Sequence, residues 1–327
     1  MMTILFNLVA LKDYISLYSY RKYLKSTPTL KRAIFYSKIC HQDFSLPNSI
    51  VYYMAQNPAL PKVYEKIIQC CKYFFIKNPI LVTLRLRFYG GKWCINCKSV
   101  KTDIFECKFE RKPYDITKVT SKFWITDLLF IEPEFLEDNE IMDKNIVSSN
   151  ISKFYKCAPK YLKLCYQNIF FHDLSLLLQS AEKIYFIDVC VKNDDGSNVA
   201  VEKIVEIAVE AKMITFHHST ITNKNTMKEL LKIPNFLKLD VFSLTNLSED
   251  FDIETFYNYM KKNKTTKFWF HFQNQISEAY KNRIETIVDE IIATKEFIYK
   301  PPMIYFPEID DEKFETLKNI YFLPLNF

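Results

Sequence analysis

Short apolar–polar–apolar triplets recur through the second half of the chain. They fall at Leu162/Leu164, Ile184/Phe186, Ile214/Phe216, Phe242/Leu244, Phe268/Phe270 and Ile304/Phe306. Alternation of this kind predicts β-strands, because successive side chains of a strand point to opposite faces. Between the triplets, segments with helical spacing of apolar residues lie at 173–180, 199–210, 224–232, 252–263 and 277–293. The pattern therefore predicts an α/β fold.

Polar residues near the starts of these helices support the assignment. Asp250, Asp252 or Ser277 can act as N-caps, and Thr226 followed by Glu229 fits a capping box.

The strand-then-helix units repeat with a period close to that of leucine-rich-repeat solenoids, roughly 20–30 residues. Each unit of such a solenoid buries its faces only by stacking on its neighbours. Here the repeat length varies, Phe and Ile replace many leucines, and no Asn or Cys position recurs, so the array resembles a degenerate member of that class. The alternative interpretation is an ordinary α/β domain of right-handed strand–helix units.

If the strands line a concave surface, the polar members of the triplets face outward and form a candidate target-binding surface. These residues are Lys163, Tyr185, Thr215, Ser243, Trp269 and Tyr305, extended along the strands by His217, Thr245 and His271. Tyr and Trp are enriched in protein-binding surfaces. The alternative for each residue is that it covers a neighbouring loop.

Before this array, residues 44–82 predict two short helices separated by prolines. Leu46-Pro47 opens the first, since proline is tolerated at the first helical position. The apolar residues of the first helix are Ile50, Val51 and Met54, and those of the second are Val63, Ile67, Cys70, Cys71 and Phe74. Asn57-Pro58 and Leu60-Pro61 break the pair, and Asn78-Pro79 ends it. Two such helices either pack on the rest of the chain or keep one apolar face for another protein.

The order of residues in this stretch resembles an F-box. The Leu46-Pro47 opening, the aliphatic helix, the break and the ending Cys70-Cys71-Lys72-Tyr73-Phe74 look like the family pattern, although Asn48 and Ser49 are not acidic and Phe74 stands where Trp is usual. With the later segments VKNDDGS, TMKELLKIPNFLKLD, EDFDIETFYNYMKKNKTTK and DEIIATKEFIYKPPMIYFP, roughly residues 44–310 are similar to the large nematode family of F-box-domain proteins.

The resemblance implies a non-catalytic substrate receptor that links a target protein to a Skp–cullin (SCF) ubiquitin ligase. It implies that the helices contact a Skp-family adaptor through Leu46, Pro47, Ile50, Met54, Val63, Tyr64, Ile67 and Cys71. The alternative is a repeat-type binding protein with no ligase role, in which the two helices act only as a cap.

The predicted organisation has five parts. Residues 1–42 form a helical extension, 43–82 the F-box-like helices, 83–158 a β-rich linker region, 159–310 the repeat region and 311–327 a tail. In the linker region, strands are predicted at 80–88, 104–109 and 123–130. Cys94, Cys97 and Cys107 invite a zinc interpretation, but structural zinc needs four ligands and a second close pair is missing.

Composition narrows the function classes. Only 3 glycines occur, too few for the glycine-rich loops that bind phosphate groups. The net charge is +6, and the basic residues are interspersed with acidic ones rather than clustered, which argues against nucleic-acid binding. The 9 cysteines lack framework spacing and predict free thiols in a reducing compartment. No stretch reaches membrane length. The prediction is a protein of the cytoplasm, the nucleus or both, with no membrane partner.

No catalytic motif appears. Among the 5 histidines, His217 and His271 fall at matching repeat positions and are predicted to be near neighbours on adjacent strands. One interpretation is that the two histidines bind a metal ion together, and the other is that they are ordinary surface histidines. The second is favoured, since no carboxylate recurs at the matching positions of neighbouring strands. The sequence thus predicts no enzyme, no cofactor and no metal.

Overall fold

The computed structural model describes residues 43–96, 99–100, 103–107, 114–134, 143–218 and 222–324. The predicted N-terminal extension over 1–42 lies outside them. The chain divides into two compact units. Of the described residues, the small unit holds 43–82 and 119–124, and the large unit holds the rest.

The small unit contains three helices rather than the two predicted. They are α1 (Asn48–Gln56), α2 (Pro61–Cys70) and α3 (Lys72–Lys77). Pro47 is the N-cap of α1 rather than its first residue, and α2 begins at Pro61 as predicted. The unpredicted break lies at Cys71, whose backbone is extended (φ −145°, ψ 116°). No proline or glycine marks this position, so the local sequence carries no signal for it.

An apolar core holds these helices together. Val51, Ala55 and Phe74 are buried at its centre, and Phe44, Ile67, Ile68, Cys71 and Tyr73 pack against them. Asn78, just after α3, ties the helices further: its Nδ2 donates to the Ala55 carbonyl at 3.0 Å, and its own carbonyl accepts from the Tyr64 hydroxyl.

A mostly parallel sheet forms the large unit. Its strands are β1 (Ile80–Tyr89), β2 (Lys92–Ile95), β5 (Lys122–Glu132), β6 (Phe154–Cys157), β7 (Tyr161–Cys165), β9 (Lys183–Ile187), β11 (Met213–His217), β12 (Val241–Leu247), β13 (Lys267–Phe272) and β14 (Met303–Tyr305). Two smaller sheets pair β3 (Ser99–Val100) with β4 (Asp103–Cys107) and β8 (Asn168–Phe170) with β10 (Cys190–Lys192).

The order of strands in the main sheet is β14-β13-β12-β11-β9-β7-β5-β1-β2, with β6 paired to β5. From β5 to β14 the strands are parallel and follow chain order without a reversal. All six predicted triplets therefore lie in or at the end of strands of one sheet. Strands β1, β2, β5 and β6, which fall in the predicted linker region, also belong to this sheet.

Helices lie between the strands along the chain, and the last helix follows β14. They are α4 (Ile146–Asn150), α5 (Phe171–Leu178), α6 (Val201–Ile207), α7 (Thr226–Leu230), α8 (Ile253–Met260), α9 (Glu278–Ala293) and α10 (Asp311–Tyr321), with short 3-10 turns at Ile116–Lys118, Ile151–Lys153 and Phe236–Lys238. The chain is thus a mixed α/β protein, as predicted. Helix α10 lies in the segment that the sequence indicated as a tail.

Helix caps agree with the sequence at some positions and not at others. Asp252 and Ser277 accept from the backbone N–H of Thr255 and Tyr280, as N-caps do. Thr226 is wrong as a cap: it is the first residue of α7, fully buried, and its hydroxyl accepts from the Asn223 N–H at 2.9 Å.

The triplets' apolar side chains form the core of the large unit, where every one of them is almost fully buried. Aromatic rings from the helices meet them. Phe256 on α8 lies with its ring centroid 5.2 Å from that of Phe268 and 4.5 Å from that of Phe270. Edge-to-face and tilted contacts of this kind add to the hydrophobic gain.

One cysteine departs from the predicted reduced state. Cys94 is disulfide-bonded, so its sulfur is not available as a zinc thiolate. The side chains of Cys97 and Cys107, the other members of the zinc interpretation, lie outside the described residues. Cys70, Cys71, Cys157, Cys165 and Cys190 are free thiols.

Candidate functional site

Opposite to the core, the large sheet presents the other side chains of the parallel strands in three rows. Strand register defines them. The edge row is Tyr161, Lys183, Met213, Val241 and Lys267; the central row is Lys163, Tyr185, Thr215, Ser243 and Trp269; the histidine row is Ile187, His217, Thr245, His271 and Tyr305. Most of these residues keep partial exposure, and Trp269 is 40% exposed.

The predicted target-binding residues occupy the central and histidine rows. Lys163, Tyr185, Thr215, Ser243 and Trp269 pair in register on five successive strands, although Ser243 is buried. Tyr305 departs from the expected row: it pairs with His271, whereas Met303 stands beside Trp269. The shift follows from the register of β14, which the triplet spacing does not reveal.

Within the central row, the polar groups are held by local contacts. Lys163 Nζ lies 5.0 Å from the centroid of the Phe130 ring and 4.0 Å from Glu132 Oε2. The Tyr185 hydroxyl lies 2.9 Å from Met213 Sδ. A cation, hydroxyl groups and an indole N–H therefore follow one another across the sheet, and all of them can donate hydrogen bonds.

The two histidines of the histidine row do not lie on adjacent strands, which is where the sequence predicted them. Strand β12 lies between β11 and β13, so His217 and His271 are two strands apart, about 10 Å, rather than adjacent. Thr245 fills the position between them, with its Oγ1 3.1 Å from His217 Nδ1. The His217 ring stacks on His218 at a centroid distance of 5.5 Å.

These distances do not fit a shared metal ion, whose imidazole ligands lie about 2 Å from it. Among the described residues no group of three or more His, Cys, Asp or Glu side chains could hold a metal.

Burial lowers the pKa of both His217 and His271. The positive charge of His218 lowers the pKa of His217 further, and those of His217 and His218 lower the pKa of His271, while Asp188 opposes the shift at His217. The folded protein thus favours the neutral imidazoles. The row is a donor-and-acceptor surface at neutral pH and becomes cationic on acidification.

The lowered histidine pKa values predict a pH-dependent stability. Between the folded and unfolded pKa values the unfolded chain binds more protons, so the free energy of unfolding should fall as the pH drops through about 6.5 and below. The double variant His217→Asn/His271→Asn should lose less stability than the wild type between pH 7.5 and 5.5. Urea midpoints at the two pH values measure this.

The variant His172→Asn, which changes an exposed histidine, provides the control. Its loss of stability between pH 7.5 and 5.5 should be no smaller than that of the wild type. Equal pH dependence in the wild type and the double variant would contradict the assignment of the effect to these two histidines.

The edge row contains residues that the sequence analysis missed. The Lys183 ammonium lies 5.1 Å from the centroid of the Tyr161 ring. The Lys267 ammonium lies 5.1 Å from the Tyr321 ring and donates to the Tyr321 carbonyl at 3.3 Å. The signal was present: each of these lysines stands two positions before an assigned outward residue, so extending the alternation by one step would have found them.

A second candidate surface lies on the small unit. Leu46, Ile50, Met54 and Val63 are 41–49% exposed, and Pro47 is exposed as well. The other three predicted adaptor contacts face elsewhere: Tyr64 is buried, and Ile67 and Cys71 pack against the core of the helices. Burial raises the pKa of the Cys71 thiol.

Comparisons with known proteins return nothing for this chain. No family model matches it, and neither the curated proteins nor the solved structures include a match. None of the helices among the described residues is both long and apolar enough to cross a bilayer.

Proposed function

We propose that this chain is an F-box-type substrate receptor, in which the small unit binds a Skp-family adaptor and the large unit holds a target protein for a cullin ubiquitin ligase. One observation carries the proposal. Ile50 and Met54 on α1 remain exposed, although Val51 and Ala55, one position further along the same helix, are buried. The helix therefore has an apolar face on each side, and only one of them is used within the unit.

The exposed stripe has the spacing of a binding surface. Ile50 and Met54 are four residues apart and therefore lie on one side of α1, and the exposed Leu46 stands just before its N-cap, Pro47. Leu60 and Val63, at the start of α2, add further exposed apolar side chains. Exposed apolar side chains that lie side by side, as Ile50 and Met54 do on α1, are typical of a protein-interaction site.

For the large unit, a leucine-rich-repeat-like solenoid is the architecture that we favour. Parallel strands that follow chain order without a reversal are what stacked strand–helix repeats produce. A doubly wound sheet reverses its strand order and covers both faces with helices. The partial exposure of the three rows agrees with a sheet face that is available to a partner.

The role of such a receptor is positional. On this proposal the chain holds the target near the ligase, and its contribution to ubiquitin transfer is proximity.

Adaptor binding is the direct test. The full-length chain should co-elute with a purified Skp-family adaptor on a sizing column as a one-to-one complex. The double variant Ile50→Asp/Met54→Asp should weaken binding about 100-fold or more, because losing a central apolar contact costs about 2 kcal/mol and the introduced carboxylates lose hydration. Leu46→Ala/Pro47→Ala should weaken it as well. Calorimetric titration measures the affinities.

Val209→Asp is the matched control, since Val209 is 60% exposed in the large unit. Its affinity for the adaptor should equal that of the wild type, and circular dichroism should show all variants folded. Unchanged adaptor binding by both double variants would overturn the proposed face.

A repeat-type binding module without a ligase role is the second candidate. The packing of Ile67 and Cys71 into the core of the small unit favours it, because a cap uses its apolar residues internally. Failure to form any adaptor complex at micromolar concentration would support this candidate.

A further inference from the structure

We infer that the edge row of the large sheet binds an extended acidic segment of the target, with two carboxylates four residues apart and an apolar side chain midway between them. The inference deepens the proposed function, because it names the chemistry of the target that the sheet face takes. It rests on the placement of two lysines in one register row.

Within the edge row, register places two apolar side chains between Lys183 and Lys267. Lys183 pairs with Met213, Met213 with Val241, and Val241 with Lys267. The row therefore reads cation, apolar, apolar, cation across four neighbouring strands. All four side chains are partly exposed.

The span of this row matches an extended peptide. Neighbouring strands lie about 4.8 Å apart, so the two lysine positions are about 14 Å apart. In an extended chain each residue advances about 3.3 Å, and residues i, i+2 and i+4 share one face. A Glu-x-Leu-x-Glu segment laid across the strands brings its carboxylates to the two lysines and its leucine to Met213 and Val241.

Both ammonium groups are available for such a ligand. Each lies over an aromatic ring, Lys183 over Tyr161 and Lys267 over Tyr321, and in the part of the chain that the structure describes neither has a carboxylate partner. The rings hold the cations at the sheet surface without neutralising them. A carboxylate that arrives there forms a charge-assisted hydrogen bond in a half-buried setting, where the attraction is stronger than in open water.

The carboxylates nearest in sequence are directed to other cations. Glu182 pairs with Lys212 at 2.8 Å and with Lys160 at 3.7 Å. The hydrogen bond and charge of Glu182, with a smaller contribution from Asp240, raise the pKa of Lys212. Glu132 lies beside Lys163 in the next row. The edge row thus keeps a net positive charge that an acidic segment complements.

The experiment uses the full-length chain and a fluorescein-labelled peptide, Ser-Glu-Ser-Leu-Ser-Glu-Ser, with binding followed by fluorescence anisotropy. Two peptides test the chemistry: one with both glutamates replaced by glutamine, and one of equal charge with the two glutamates adjacent. We expect micromolar binding of the first peptide and at least tenfold weaker binding of the other two.

Protein variants test the location. Lys183→Gln/Lys267→Gln should weaken binding of the first peptide at least tenfold. The matched control is Lys203→Gln/Lys232→Gln, which removes the same charge from exposed lysines that pair with Glu206 and Glu229 near α6 and α7. The control should bind as the wild type does.

Three results would overturn the inference: no binding of the first peptide, equal binding of the adjacent-glutamate peptide, or tighter binding of a twelve-nucleotide oligothymidylate, which would indicate a nucleic-acid surface. Adaptor co-elution is measured on the same preparation. Adaptor binding without peptide binding would overturn only this inference, whereas peptide binding without adaptor binding would overturn only the ligase role.

Discussion

Replacing Phe256 with alanine is expected to lower the free energy of unfolding of the large unit by about 4 kcal/mol. Phe256 is fully buried on α8, and its ring contacts the rings of Phe251, Phe268 and Phe270 at centroid distances of 6.4, 5.2 and 4.5 Å. Removing a buried ring loses its transfer free energy and leaves a cavity, and such changes cost about 3–5 kcal/mol. Urea unfolding followed by far-UV circular dichroism measures the change.

Two controls separate packing from bulk hydrophobicity. Phe256→Leu keeps most of the volume and should cost less than about 1.5 kcal/mol. Phe322→Ala removes the same group from a side chain that is 60% exposed and should change stability by less than about 0.5 kcal/mol. If Phe256→Ala cost no more than Phe322→Ala, the aromatic cluster would not be the core of the large unit.

Asn263→Ala is the second large effect, with an expected loss of about 3 kcal/mol. Asn263 is 4% exposed and lies between α8 and β13. Its Nδ2 donates to the Thr266 carbonyl at 2.6 Å, and its Oδ1 accepts from the Thr266 N–H at 3.0 Å. Alanine leaves both backbone groups of a buried threonine without these partners, and each orphaned group costs about 1–3 kcal/mol.

The same substitution at Asn193 is the control. Asn193 donates to Ser197 Oγ at 2.9 Å in an exposed turn, where water replaces a lost partner. Asn193→Ala should therefore cost less than about 1 kcal/mol. Urea midpoints of the two alanine variants give the comparison. Equal losses of stability would show that the buried hydrogen bonds of Asn263 stabilise the fold no more than the exposed hydrogen bond of Asn193 does.

Local patterns predicted the strands of the large unit well, because alternation is a property of adjacent residues alone. Each apolar triplet from Leu162 to Phe306 falls in or at the end of a strand. The helix predicted over 277–293 is α9, with Ser277 as its cap. Here the helical periodicity, the capping residue and the apolar stripe all indicate the same helix. A local prediction is reliable when independent features of the sequence agree in this way.

Elements were missed where packing rather than pattern decides. Helix α10 has mostly charged or polar residues and buries only Leu317 and Tyr321, so its apolar signal is thin. The break at Cys71 occurs in a run of helix-compatible residues, where packing of α3 against α1 and α2 overrides local preference. Thr226 has the chemistry of a cap, but burial gives its hydroxyl another partner.

The candidate site shows the same division. Alternation alone assigned Lys163, Tyr185 and Trp269 to one face of the sheet. The sequence did not reveal that β12 separates His217 from His271, that Tyr305 stands beside His271, or that Lys183 and Lys267 share one row. Each of these facts is a relation between strands rather than a property of one strand.

By itself, then, the sequence determined the strands that carry the apolar triplets, which side chains of those strands face the core, and that 44–82 forms short helices. Only the tertiary structure decided which strands are neighbours, at what register they pair, and which apolar face of α1 is left exposed. The physical reason is the range of the forces involved. Backbone periodicity and capping act within a few residues, whereas pairing and register depend on contacts between residues that are far apart in the chain.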